Sequence, residues 1–152
     1  MLNISYSART LEHPLIVDAV LIPSGYLKNE TAFDVTAVEV LNYFKAKDFN
    51  IDIDSTPETF STIELNSNLQ RLGKYVVREC AIPLFISIMA AFIYDKCSSA
   101  SSVDYDPVKV KINIEVCDST NMKVKNQIEF EGTADEFQQV ADNIEQLIKA
   151  ND

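Results

Sequence analysis

The chain has no tryptophan, one histidine, three cysteines and three glycines in 152 residues. Each scarcity closes a class of chemistry. Gly25, Gly73 and Gly132 stand alone and fit neither G-x-x-x-x-G-K nor G-x-G-x-x-G, so no phosphate-cradling loop is expected. His13 has no rival as the base of a Ser-His or Cys-His pair. It precedes Pro14, and no cysteine stands in a nucleophile motif, so no catalytic residue is assigned. Cys80, Cys97 and Cys117 cannot all pair and show no C-x-x-C spacing, which predicts a reduced, cytoplasmic setting and no metal or other cofactor. Met1 to Arg9 lacks the basic and continuous apolar regions of a secretion signal. Basic residues are few, 13 against 23 acidic, for a net charge of −10. Such a chain is repelled by nucleic acid and by anionic membrane, and favours a basic partner.

What remains is ordinary globular material, 47% hydrophobic and long enough for one core. Leu2, Ile4, Tyr6 and Ala8 alternate with polar residues as a half-buried strand. Pro14 to Ile22, broken by Asp18 alone, reads as a strand covered on both faces. Thr36 and Glu39 match a capping box ahead of a short helix bearing Val40, Leu41, Tyr43 and Phe44. Ile51 and Ile53 make a short strand, and Ser55 to Ser61, with Pro57, a loop. From Asn66 the spacing of Leu69, Leu72, Val76 and Cys80 predicts an amphipathic helix. Pro83 then either kinks that helix or opens a second one. A serine-rich linker is expected over 97–106.

The last third predicts a hairpin. Val108, Val110, Ile112, Ile114 and Val116 form one face of its first strand, and Lys109, Lys111, Asn113 and Glu115 the other. A three-residue loop, Ser119 to Asn121, would set Val116 opposite Val124 and Ile112 opposite Ile128. The same register would bring Glu115 to Lys125, Lys111 to Glu129 and Lys109 to Glu131. Thr133 and Glu136 make a second capping box, ahead of a helix with Phe137, Val140, Ala141, Ile144, Leu147 and Ile148 as its apolar stripe. The expected whole is one α+β domain over 1–152, of order β-β-α-β-α-β-β-α. It has an antiparallel or mixed sheet, a long central apolar helix and a C-terminal hairpin-helix unit.

Cys80 to Tyr94 carries no charge and lies in the only basic part of the chain, where residues 66–102 hold 4 basic and 2 acidic groups. Its 15 residues fall short of the roughly 20 that cross a bilayer. A helix apolar on every side must be buried on every side. Two readings stay open: burial inside the domain, or partial burial completed by a second copy or another protein. The second makes Arg78, Leu84, Phe85, Ile88, Met89 and Phe92 the candidate contact residues. It predicts a homo-oligomeric or partner-binding module rather than an enzyme. The competing functions are a small-molecule-binding or hydrolytic domain, with a pocket between sheet and central helix near Asp18, His13 or Asp52, and a membrane anchor through residues 80–94.

Other motifs are weaker. Asp52, Asp54 and Thr56 stand in the D-x-D-x-T spacing of haloacid-dehalogenase-like phosphotransferases. No apolar strand precedes them and no glycine follows Asp54, so they read as alternating acids on an exposed strand. Asp104 and Asp106 read as solvated linker carboxylates. An apolar helix over Leu84 to Tyr94, a hairpin whose second strand ends Gln127-Ile-Glu-Phe-Glu-Gly-Thr-Ala-Asp-Glu-Phe137, and a short helix follow one another. This layout resembles the effector-associated adaptor domains of bacterial conflict and defence systems. The resemblance covers about residues 84–150 and implies a non-catalytic role in protein–protein contact.

Overall fold

In the computed structural model the described residues are 1–6, 9–11, 15–23, 25–27, 30–53, 61–63, 69–97, 108–118, 120 and 123–150. The strands are β1 (Leu2–Tyr6), β2 (Ala19–Ile22), β3 (Gly25–Leu27), β4 (Glu30–Asp34), β5 (Ile51–Ile53), β6 (Ser61–Ile63), β7 (Leu69–Arg78), β8 (Lys109–Cys117) and β9 (Val124–Thr133). The helices are α1 (Val35–Ala46), α2 (Ile82–Cys97) and α3 (Ala134–Ala150). Six strands form one mixed sheet in the order β1-β9-β8-β7-β2-β5, and β3-β4-β6 form a small second sheet. The large sheet is antiparallel except where β7 pairs with β8 and β2 with β5. A parallel neighbour needs a crossover, and α2 supplies the one from β7 to β8. The α/β composition agrees with the expectation, but the element order does not.

The main correction concerns residues 69–78. The sequence reads them as helix, yet they form the ten-residue strand β7. The cause is a bulge. The β7–β8 register slips between Arg71 and Gly73, and Gly73 has a φ of +110°. The slip puts Leu72 and Tyr75, three residues apart, on the same buried side of the strand. That spacing imitates one face of a helix. Pro83 then stands in the first turn of α2, where a missing N–H costs nothing, and a 3-10 turn at Glu79–Ala81 joins strand to helix. Cys80, expected in the core, is exposed on that turn.

Smaller corrections follow from local geometry. α1 begins one residue before Thr36, and the Thr36 hydroxyl donates to Gln70 Oε1 on β7 at 2.7 Å, so the first capping box does not form. The second forms as expected: Glu136 N–H donates to Thr133 Oγ1 at 3.2 Å, and Thr133 N–H to Glu136 Oε1 at 3.0 Å. Among the described residues of the Pro14 to Ile22 run, Ala19–Ile22 are strand and residues 16–18 bend. In the hairpin Val116 faces Asn126, Glu115 faces Gln127, Ile112 faces Phe130, Lys111 faces Glu131 and Lys109 faces Thr133. The register differs from the expected one by two residues, with an irregularity between Val116 and Cys117. A two-residue shift keeps every side chain on its face, so the apolar pattern alone could not distinguish the two.

All three helices cover one face of the large sheet, and α2 lies over β7 and β8 between α1 and α3. Phe85 of α2 is the hub of an aromatic cluster, with ring centroids 5.0 Å from Phe44, 5.3 Å from Tyr75 and 6.0 Å from Phe49. Tyr43 meets Phe92 at 5.4 Å, and Phe130 meets Phe137 at 5.1 Å. Most of the buried apolar side chains form one cluster, while Val76, Cys117 and Val124 are buried outside it. Among the described residues no helix lies on the other face of the sheet. At one end the chain crosses it, with the Arg78 guanidinium donating to the Leu15 carbonyl and Arg78 N–H donating to the Asp18 carbonyl at 2.9 Å.

Candidate functional site

The uncharged segment is the central helix, and most of it is enclosed by its own chain. Ile82, Phe85, Ile86, Met89, Phe92 and Ile93 point into the core at helical spacing. The expectation that Phe85, Met89 and Phe92 lie on a contact face is therefore corrected: these three are buried among α1, α3 and the sheet. Ile88 is half-buried against the same core. Arg78 lies on the helix-free side of the sheet, tied to Leu15 and Asp18, and is not part of the α2 surface. As a strand, β7 adds ten residues to the floor beneath α2, and with it the chain covers three sides of the helix.

The fourth side stays open. Pro83, Leu84, Ser87, Ala91 and Tyr94 are exposed along one stripe, and Leu84 and Tyr94 show 58% and 66% of their surface. Between them lie small or uncharged residues, and the first charge on the stripe is Asp95. The phenol of Tyr43 on α1 donates to Asp95 Oδ2 at 3.1 Å. Partial burial, then this carboxylate, raises the Tyr43 pKa above its ordinary value. Beside the N-terminal half of α2 runs a cleft of about 280 Å³ between α2 and α3. Ile82, Pro83, Ile86, Ser87 and Ala90 line one wall; Gln138, Ala141 and Asp142 line the other. Gln138 Nε2 donates to the Ala90 carbonyl at 2.8 Å and closes one part of it. Between the sheet and the central helix Phe85, Met89 and Phe92 are buried.

On the helix-free face the notable group is Glu115, expected in water beside Lys125 but only 5% exposed. Lys74 Nζ lies 2.9 Å from one of its oxygens and Arg9 bonds the other. Burial alone would raise its pKa; the hydrogen bonds and charges of Arg9 and Lys74 outweigh that and hold it below the ordinary carboxylate value. Lys125 pairs instead with Glu79 at 2.9 Å. The Arg9–Glu115 contact ties the segment at Arg9 to the sheet.

Asp18 lies 4.0 Å from Arg78, and the exposed Asp52 accepts the N–H of Ile53, so neither faces the cleft. His13, Asp54, Thr56, Asp104, Asp106 and the expected linker beyond Cys97 lie outside the described residues. Among the described residues no group of three or more metal-ligating side chains converges, and no helix is long and apolar enough to cross a membrane. No protein family, curated protein or solved structure matches the chain.

Proposed function

We propose that this chain is a non-enzymatic interaction module that meets another protein through the outer face of α2. The observation that carries this reading is the pair Leu84 and Tyr94, two large apolar side chains held in water on one uncharged helix stripe beside an open cleft. A single exposed apolar residue is unremarkable, but two on one stripe next to a concavity make a contiguous contact patch. Tyrosine is a frequent anchor in protein interfaces because it buries much area with few rotatable bonds. The resemblance of residues 84–150 to effector-associated adaptor domains is consistent with this role, as is a reducing cytoplasmic setting for the three cysteines.

The test is photo-cross-linking in cells, with a benzophenone side chain at position 84 and, as control, at position 111 on the helix-free face. Adducts of higher mass from position 84 alone are expected. Adducts in equal yield from both positions, or from neither, would overturn the reading.

A further inference from the structure

We infer that the outer edge of β1 is a second docking site, which takes up an extended peptide as a further strand of the large sheet, its apolar residues alternating with lysine or arginine. The surface is distinct from α2, and the inference stands apart from the reading above.

Four strands end a sheet among the described residues: β1 and β5 in the large sheet, β3 and β6 in the small one. β3, β5 and β6 are three residues long, which makes them poor templates, and on β5 the Asp52 carboxylate accepts the Ile53 N–H at 2.8 Å. β1 runs for five residues, Leu-Asn-Ile-Ser-Tyr, with no charge or proline to blunt it. The register fixes its outward groups. Met1 exchanges both backbone bonds with Glu131, so along an antiparallel ladder Asn3 and Ser5 bond to β9 in the same way. The N–H and C=O of Leu2, Ile4 and Tyr6 therefore point away from β9, where no described strand meets them.

The side chains of the same three residues lie on the helix side of the sheet, beside Phe130, Ile128 and Asn126. Leu2 and Ile4 are only half-buried against the core, and Tyr6 is 78% exposed. The apolar layer thus stops short at the strand whose backbone is also unpaired. An added strand completes both, with ladder bonds to β1 and every second side chain laid against Leu2, Ile4 and Tyr6. Its intervening side chains fall on the opposite face, beyond the short Asn3 and Ser5. There Glu129 and Glu131 are exposed, and Glu129 stands between Asn3 and Asn113 with no cation directly opposite. They lie about 10 Å from the added strand, two strand spacings, which a lysine or arginine and a glutamate span together. Charge therefore selects basic residues at these positions, in keeping with a net charge of −10. β1 itself carries no basic residue, so a second copy does not fit this edge.

The test titrates the purified full chain into a fluorescent, end-blocked peptide of about seven residues that alternates valine with lysine or arginine, followed by anisotropy. Saturable binding is expected, at least about tenfold tighter than for a peptide of the same composition with its basic residues in one block, or for one with glutamate in their place. N-methylation of alternate peptide residues blocks one edge of the peptide at a time. One methylated set should abolish binding and the other should leave it intact. On the protein, Ile4→Pro removes an outward N–H without touching the bonds to β9, and Glu129→Lys reverses the charge. Each should weaken binding by about tenfold while the circular dichroism spectrum is unchanged, and Leu84→Gln should have no effect. Equal binding of the alternating and block peptides overturns the inference. So do equal effects of the two methylated sets, or binding that neither Ile4→Pro nor Glu129→Lys weakens. Loss of binding in Leu84→Gln would place the peptide on α2, overturning this inference and leaving the reading of that face standing.

Discussion

Leu84 and Phe85 are neighbours in the chain and opposites in environment: Phe85 is fully buried against Phe44, Tyr75 and Phe49, while Leu84 faces water. Their substitutions should therefore separate cleanly. Phe85→Ala removes the hub of the aromatic cluster and should cost about 3–5 kcal/mol in urea unfolding. Leu84→Ala should cost less than about 0.5 kcal/mol, as expected for a surface position. Comparable losses at the two sites would show that the outer face is not a free surface.

Glu115 couples stability to pH. Its pKa is lower in the folded chain than in the unfolded one, so its contribution is fully present above the unfolded value of roughly 4.3 and is lost as pH falls through the folded value. Thermal melts should thus drop as the pH is lowered below about 5. Glu115→Gln should lower stability at pH 7 by about 2 kcal/mol, since Arg9 and Lys74 lose their counter-charge, and should flatten the acid limb. An unchanged acid limb would remove this cluster from the account.

Gly73 permits the bulge that phases β7. A Cβ there would lie 2.7 Å from Leu21 Cδ1 and 3.2 Å from Ala37 Cβ, at a φ that L residues rarely adopt. Gly73→Ala should destabilise the fold by about 2 kcal/mol or more, read as a loss of melting temperature.

Thr133 closes a working capping box, whereas Thr36 sits inside α1. Thr133→Ala should lower the melting temperature by about 2–4 °C, and Thr133→Ser should restore most of it. Equal melting of wild type and Thr133→Ala would show that the box adds nothing.

Several elements were legible in the residues alone. Alternation placed Val110, Ile112 and Ile114 on the core face of β8, and the Thr133–Glu136 spacing marked the start of α3. The uncharged run from Cys80 to Tyr94 announced a central helix because a chain rarely keeps so many apolar residues together without enclosing them. The candidate contact face was legible only in part. Of the six candidate residues Leu84 alone has a large apolar side chain on the outer stripe of α2, and Tyr94 was not among them. A helical-wheel reading that began at Pro83, with the first turn fixed there, would have put Leu84, Ser87, Ala91 and Tyr94 on one side. It would not have said which side faced water.

By itself the sequence determined what each segment can hide: periodicity and capping residues are local, and they act before any long-range contact exists. Only the tertiary structure decided which hidden faces meet. The bulge at Gly73 turned a helix-like spacing into a strand, because the sheet edge offered by β8 satisfied that backbone and the core took both Leu72 and Tyr75. In the hairpin Glu115 stands opposite Gln127, and the charge partners of Glu115 and Lys125 come from elsewhere in the chain, Lys74 and Arg9 for the one and Glu79 for the other. The open side of α2 was decided by how far three helices spread across six strands. That quantity depends on the packing of the whole core, and no window of residues contains it.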